Sequence, residues 1–186
     1  MTPAVLNFTP GAQRTGERAL KLAARFWWIA AVVGQAMFVT YILAVYVPPA
    51  LTGDFARWPD MIKGYVAGDT VGNLAVGFHM MVAAVVTFGG TLQLVPQIRA
   101  RAPRIHRWIG RAFLVSAMAA ALGGLWMVWV RDATLSPANS YAISGNALLI
   151  LAFGALAWRQ AVRGDFDSHR RWAMRTFIVA NGVWFL

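Results

Sequence analysis

The chain has 186 residues, of which 59% are apolar and 13% charged, and it carries a formal net charge of +10 and no cysteine. A soluble domain usually carries about 25% charged residues, so a soluble core could not hide this much apolar surface, and lipid must solvate much of the chain. The lack of cysteine excludes disulfides, thiolate catalysis and cysteine metal sites.

The basic residues form three clusters that alternate with long apolar segments, and only Arg57, Lys63 and Arg131 stand apart. The clusters are Arg14, Arg18, Lys21 and Arg25, then Arg99, Arg101, Arg104, Arg107 and Arg111, and finally Arg159, Arg163, Arg170, Arg171 and Arg175. Cytoplasmic loops of membrane proteins carry such an excess, so the pattern predicts a cytoplasmic N-terminus. Because the charges follow membrane topology, we expect no nucleic-acid partner.

Five apolar segments are candidates for membrane helices, since about 20 apolar residues cross the hydrocarbon core. They are residues 26–47, 71–98, 108–130, 141–158 and 171–186. The fifth is too short to cross the core at about 1.5 Å per residue, so we expect the chain to continue past Leu186. The sequence therefore predicts an all-α fold: a polytopic transmembrane helix bundle with at least five membrane helices, in a bacterial inner (plasma) membrane.

Two regions lie outside these helices. Residues 1–25 are predicted to be a cytoplasmic segment, disordered at first and then a short amphipathic helix, which precedes the transmembrane bundle of residues 26–186. Residues 48–70 form the one sizeable outer loop. Aromatic side chains are typical of the membrane–water interface. We therefore expect three aromatic residues of this loop on the membrane surface: Phe55, Trp58 and Tyr65.

A short motif occurs twice. Arg-Trp-x-x-Arg stands at residues 107–111 and at residues 171–175, each time after an inside loop and just downstream of a histidine. One interpretation is that the second and third helices and the fourth and fifth helices are related hairpins. The alternative is chance similarity between two positively charged helix starts.

The same region resembles a known family through two signatures. Their residues are His79, Gly89, Gly90, Gln93, Pro96, Arg99, Arg101, Pro103, Arg104, His106, Arg107, Gly110 and Arg111, followed by Arg163, Gly164, Asp165, His169, Arg170, Arg171, Trp172 and Arg175. Over residues 71–186 the chain resembles the bacterial family of predicted membrane proteins called domain of unknown function 2306. The resemblance implies a membrane topology and a chain that continues past the second signature, and it carries over no catalytic residue.

Three polar residues recur on one face of the second predicted helix: His79, Gln93 and Gln97. An ionisable residue inside a membrane span is costly and by default a functional candidate. His79 could donate a hydrogen bond to a quinone carbonyl or ligate a haem iron. The alternative is a hydrogen bond between helices, with Gly89 and Gly90 allowing close packing.

Two further histidines, His106 and His169, lie at cytoplasmic helix starts and so share one depth. They could bind a b-type haem whose propionates contact nearby arginines. The alternative is that they pack in the membrane interface, where the basic loops bind anionic lipid headgroups or a partner subunit. The arginines predicted to make such contacts are Arg99, Arg101, Arg104, Arg107, Arg111, Arg170, Arg171 and Arg175.

The predicted spans contain no aspartate or glutamate. Proton-coupled transporters usually place a carboxylate there, and no spacing in the chain predicts a catalytic site or a metal site. The favoured interpretation is a non-catalytic accessory or structural subunit of a larger membrane complex, with anionic lipids and other membrane subunits as partners. A redox module binding b-type haem or quinone is the alternative, and a small-molecule transporter is the third interpretation.

Overall fold

The computed structural model describes residues 10–59, 65–132 and 136–182. All regular structure within these residues is helical, which confirms the predicted all-α fold. The helices are α1 (Pro10–Val45), α2 (Val47–Thr52), a 3₁₀ turn (Phe55–Arg57), α3 (Thr70–Gln93), α4 (Pro96–Arg101), α5 (Pro103–Trp129), α6 (Pro137–Arg163) and α7 (Phe166–Ala180).

Four segments are long and apolar enough to cross a membrane: Arg14–Thr52, which joins α1 and α2, and the helices α3, α5 and α6. Large apolar side chains remain exposed on these helices, including Phe78, Phe88 and Leu148. A contiguous exposed apolar surface is typical of a protein that contacts lipid. These helices indicate a multi-pass membrane protein.

Two sequence predictions fall partly on residues that the structure does not describe. The predicted disordered start includes residues 1–9, and the described helix α1 already begins at Pro10. The predicted fifth span begins within α7, which has 15 residues, and residues 183–186 lie outside the described ranges. The count of at least five membrane helices and the cytoplasmic N-terminus therefore stay predictions.

Local chemistry explains where several helices begin. Proline is the first residue of α4, α5 and α6. A backbone N–H has no partner within the helix at this position, so proline, which lacks that N–H, is well tolerated there. Pro96 also divides the predicted helix of residues 71–98: α3 ends at Gln93, and Val95 is extended. A proline disfavours the helical conformation of the residue before it, which explains the break.

The long helices pack in sequence order, each one antiparallel to the next. α1 lies on α3, α3 on α5, α5 on α6, and α6 on α7. Phe177 of α7 also reaches Gly90 of α3, so the last four of these helices form a bundle with α1 outside it. We call the end of the bundle where α3 ends and α5 begins the basic end. Small buried residues line the core between these helices: Ala117, Ala121, Ala147 and Ala157.

The aromatic residues of the outer loop do not all lie on the surface. Phe55 and Trp58 are each 6% exposed, so the prediction for them is wrong, whereas Tyr65 is exposed. Trp58 Nε1 donates a hydrogen bond to the Tyr46 carbonyl oxygen at 3.1 Å, and its ring packs beside Gly77. The loop folds back because a buried indole gains both apolar contacts and a partner for its N–H.

The two predicted hairpins have matching local structure. The motif residues Trp108 and Trp172 both lie near the start of a helix that follows a basic turn, on α5 and α7. At the same separation along the sequence, Gly90 matches Gly154 and Phe113 matches Phe177. These matches support the interpretation that α3–α5 and α6–α7 are related hairpins.

Candidate functional site at the basic end

The arginines of the second and third clusters are all exposed at the basic end. These ten residues are Arg99, Arg101, Arg104, Arg107, Arg111, Arg159, Arg163, Arg170, Arg171 and Arg175. Within the described residues, none of them forms an ion pair with a carboxylate. The ten arginines outnumber the nearby carboxylates Asp165 and Asp167, so the basic end carries a concentrated net positive charge, which favours anionic ligands.

Two arginines of this end stack on tryptophans of the repeated motif. The guanidinium carbon of Arg111 lies 5.4 Å from the ring centroid of Trp108, and that of Arg175 lies 4.4 Å from the ring of Trp172. Residues three apart on a helix are neighbours, and a guanidinium over an indole face is attracted to the ring. Each motif thus holds its second arginine in place beside an interfacial aromatic ring.

The exposed face of α7 has a shallow, open depression of about 490 Å³. Its lining residues are Asp167, Arg170, Arg171, Met174 and Arg175. Arg171 Nη2 donates a hydrogen bond to Ser168 Oγ at 2.8 Å, which orients that side chain. Three guanidinium groups around one depression can bind phosphate oxygens through paired hydrogen bonds.

Three of the predicted site residues come together at the basic end. Gln93 Nε2 donates a hydrogen bond to the His106 carbonyl oxygen at 3.0 Å. His169 Nδ1 lies 2.9 Å from the Ala157 carbonyl oxygen, and the two histidines are close enough to interact electrostatically. His106 Nδ1 is buried without a hydrogen-bond partner. Each histidine thus lies at a hydrogen bond between the two helices of a hairpin: His106 between α3 and α5, and His169 between α6 and α7.

The other two predicted site residues do not join this group. Gln97 is exposed on α4. His79 stands about 21 Å from Gln93 along α3, in the other half of the bundle. Its ring packs against α5, where a methyl group on Gly123 would lie 3.1 Å from Nδ1. His79 and Gln93 both contact α5, whereas Gln97 is exposed on α4, so the three residues predicted to share a face do not line one pocket.

The sequence interpretation missed a polar cluster at the end opposite the basic end. Arg131 Nη1 lies 3.3 Å from Asp69 Oδ2, and Nη2 donates a hydrogen bond to Asn73 Oδ1 at 3.1 Å. The Arg131 side chain is only 4% exposed and also lies over the ring of Trp126. The only available signal was an unclustered arginine and an aspartate, each next to a helix end.

Comparison with known proteins identifies a family. The family model described as "Predicted membrane protein (DUF2306)" matches residues 76–186, which is more than half of the chain. No curated protein and no solved structure matches the sequence. The chain belongs to this family of predicted membrane proteins, as the resemblance implied.

Proposed function

We propose that this member of the DUF2306 family is a non-catalytic accessory or structural subunit of a larger inner-membrane complex, and that its basic end binds anionic lipid headgroups. The observation that carries this proposal is the set of ten exposed arginines at one end, with no carboxylate partner among the described residues. Asp165 and Asp167 offset part of this charge, and the remaining net positive charge favours an anionic ligand.

The chemistry of these side chains fits lipid phosphate. A basic residue beside an anionic membrane surface contributes about 1 kcal/mol to binding. Arginine matches phosphate oxygens in pairs through its planar guanidinium group. Because Trp108 and Trp172 each hold an arginine at a helix start, the two stacked groups lose less side-chain freedom when they bind.

Small residues on α5 and α6 differ in whether they could contact a partner subunit. On α5, Ala117 and Ala121 are buried within the chain. On α6, Gly145 is exposed, and a methyl group there would meet no atom within 4 Å. Small residues let helices of membrane proteins approach closely. The exposed surface of α6 around Gly145 is therefore open to a helix of another subunit.

The first experiment is a mild-detergent purification from the native membrane, followed by mass spectrometry of the bound lipids and proteins. We expect anionic lipids to be enriched over zwitterionic lipids and at least one other membrane subunit to co-purify. The triple variant Arg170→Gln, Arg171→Gln, Arg175→Gln should lose that enrichment. A matched control removes the same charge from α1: Arg14→Gln, Arg18→Gln, Lys21→Gln. Equal lipid retention by all three proteins, with no partner, would contradict the proposal.

A redox module is the second candidate, and the arrangement of two histidines favours it. His169 Nδ1 is directed to a backbone carbonyl, which is the arrangement that orients an imidazole so that Nε2 can ligate a metal. His106 lies nearby with its buried Nδ1 unpaired. A b-type haem would produce a Soret band in the purified protein. The band should disappear in His106→Ala and His169→Ala and persist in the His79→Ala control.

Quinone binding and transport have their own tests. A quinone held by His79 would be lost from the lipid extract of the His79→Ala variant, with Gln97→Ala as a control on the same predicted face. A transporter needs a water-lined path, so single cysteines placed along residues 79–97 should react with a water-soluble thiol reagent. Unreactive cysteines throughout would remove this third interpretation.

A further inference from the structure

A second depression lies within the membrane-crossing part of the bundle, between α5 and α6. It has a volume of about 300 Å³ and is lined almost entirely by apolar atoms. The lining residues are Val115, Met118, Ala155, Trp158 and Arg159. We call this feature the α5–α6 groove. It is distinct from the depression on α7, because it shares no residue with it.

Side-chain size explains why a groove remains between these two helices. Gly154 lets Met118 approach α6 closely, since a methyl group there would lie 3.2 Å from the Met118 Cγ. Next to it, Ala155 is exposed and too small to fill the space beside the exposed Val115. The helices are thus in contact behind the groove and separated in front of it.

The register of the helix pair places a second arginine at the same end of the groove. Trp129 Nε1 donates a hydrogen bond to Ser144 Oγ at 3.0 Å near the opposite end of the pair. Together with the Met118–Gly154 contact, this antiparallel register puts Arg111 about two to three residues, or about 4 Å along the helix axis, from the level of Arg159. Arg111 also stands one helical turn from Val115, on the same face of α5. Both arginines are exposed.

Tryptophans flank this end of the groove on both helices. Trp108 carries Arg111 over its ring, and Trp158 precedes Arg159 directly. Both rings are partly exposed, at 69% and 38%. Tryptophan is enriched at the depth of lipid headgroups. The groove is therefore apolar along its length, and its mouth carries the tryptophans and positive charge that are typical of headgroup depth.

We propose that the α5–α6 groove is a specific site for one glycerophospholipid with a net negative headgroup. One acyl chain lies along Val115, Met118 and Ala155, and the phosphate binds Arg159 and Arg111. Charge complementarity identifies the occupant, because two guanidinium groups at the mouth favour an anionic lipid over a zwitterionic one. The groove specifies one location for the headgroup binding proposed above, so this inference rests on that proposal.

The experiment counts the lipids that stay bound to the purified full chain. The protein is exchanged into micelles that contain equal amounts of phosphatidylglycerol and phosphatidylcholine, diluted into detergent, and measured by native mass spectrometry. Ala155→Trp fills the groove, and Ala142→Trp places the same ring on the opposite end of α6. Arg159→Gln removes a charge at the mouth, and Arg163→Gln removes one a helical turn farther along.

We expect the wild-type chain to retain one phosphatidylglycerol. Arg159→Gln should reduce the retained fraction about fivefold, and Ala155→Trp at least as much, whereas Ala142→Trp should resemble wild type and Arg163→Gln should lose less lipid than Arg159→Gln. Because Arg159 and Arg163 are both exposed, the arginine pair also tests the site if the larger ring disturbs folding. Added inorganic phosphate should not displace the lipid. Displacement would show that the site recognises phosphate alone and would contradict the proposal of a specific lipid site.

The outcomes separate this inference from the broader proposal. If wild type prefers phosphatidylglycerol and all four variants retain it equally, the groove is not the site, although the basic end still binds anionic lipid. If wild type shows no preference between the two lipids, both proposals are wrong. If Arg163→Gln loses as much lipid as Arg159→Gln, the binding reflects general surface charge, and the groove is again excluded.

Discussion

At the scale of single residues, the Arg131 cluster shows how a charge is accommodated at a membrane boundary. The guanidinium contacts a carboxylate, an amide oxygen and an indole ring, supplied by Asp69, Asn73 and Trp126. A charged group removed from water is costly unless it is paired and hydrogen-bonded. These contacts join the start of α3 to the end of α5, so the cluster acts as a clamp across the first hairpin.

Asp69 has two separable roles in this clamp. Its Oδ1 accepts a hydrogen bond from the Gly72 N–H at 2.9 Å and caps α3, and its Oδ2 faces Arg131. Asp69→Asn keeps the cap and removes the charge, so we expect the free energy of unfolding to fall by about 1–3 kcal/mol. Asp69→Ala should cost about 1 kcal/mol more because the cap is also lost.

Thermal or denaturant unfolding in detergent checks both variants. Asp54→Asn is a suitable control, because Asp54 is exposed and its side chain caps no helix. Equal stability of Asp69→Asn and the control would show that the ion pair contributes nothing.

At the scale of elements, the turn between α6 and α7 is specified by two adjacent residues. Gly164 ends α6 with φ of 77°, in the left-handed region that suits glycine. Asp165 begins α7 by accepting a hydrogen bond from the Ser168 N–H at 3.0 Å. Hydrogen bonds from the side chain and backbone of Ser168, with Arg171 nearby, lower the pKa of Asp165 below its ordinary value.

This lowered pKa predicts how the start of α7 responds to acid. A carboxyl group whose pKa is lower in the folded state stabilises that state above its unfolded pKa, and the contribution disappears as the pH falls through the folded pKa. We therefore expect amide hydrogen exchange in the first turn of α7, corrected for its intrinsic pH dependence, to accelerate as the pH falls below the ordinary aspartate pKa of about 4. Asp165→Asn keeps an acceptor but cannot titrate, so it should lack this acceleration; an identical pH profile would contradict the assignment.

The contact between hairpins depends on Gly90 of α3. A methyl group there would lie 2.9 Å from atoms of both Phe113 and Phe177. We expect Gly90→Ala to lower the free energy of unfolding by about 1–3 kcal/mol, because the two rings must move. Gly145→Ala is the matched control: a methyl group there meets no atom within 4 Å, so it should stabilise α6 by up to about 1 kcal/mol. Thermal unfolding of the two variants should shift in opposite directions.

At the scale of the whole molecule, the charge distribution predicts an orientation. The basic end holds ten exposed arginines, whereas the opposite end holds the Arg131 clamp. Basic loops remain in the cytoplasm during membrane insertion. The basic end should therefore face the cytoplasm, with Gln97 inside the cell and Asn139 outside.

Cysteine labelling in intact cells tests this orientation without background, since the chain has no native cysteine. Gln97 and Asn139 are both exposed, so Gln97→Cys and Asn139→Cys should tolerate the change. A membrane-impermeant maleimide should label Asn139→Cys in intact cells and Gln97→Cys only after permeabilisation. The reverse pattern would invert the topology and place the basic end outside.

Much of the architecture could be predicted because it depends on local properties of the chain. Apolar length predicted the membrane-crossing helices, and basic clusters predicted a single charged end, since lipid and water act on each segment separately. The break at Pro96 follows an equally local rule, although the predicted helix of residues 71–98 ran through it. The family was also recognisable from residues in the sequence.

The tertiary structure alone decided which side chains meet. Periodicity placed His79 and Gln93 on one face of a helix, but only the packing brings Gln93 to His106 and His79 to Gly123. The Arg131 clamp and the α5–α6 groove likewise depend on the rotation and register of neighbouring helices. Hydropathy cannot report these quantities, because lipid solvates any apolar face alike. They are determined by close contacts at small residues, where one methyl group would change the fit.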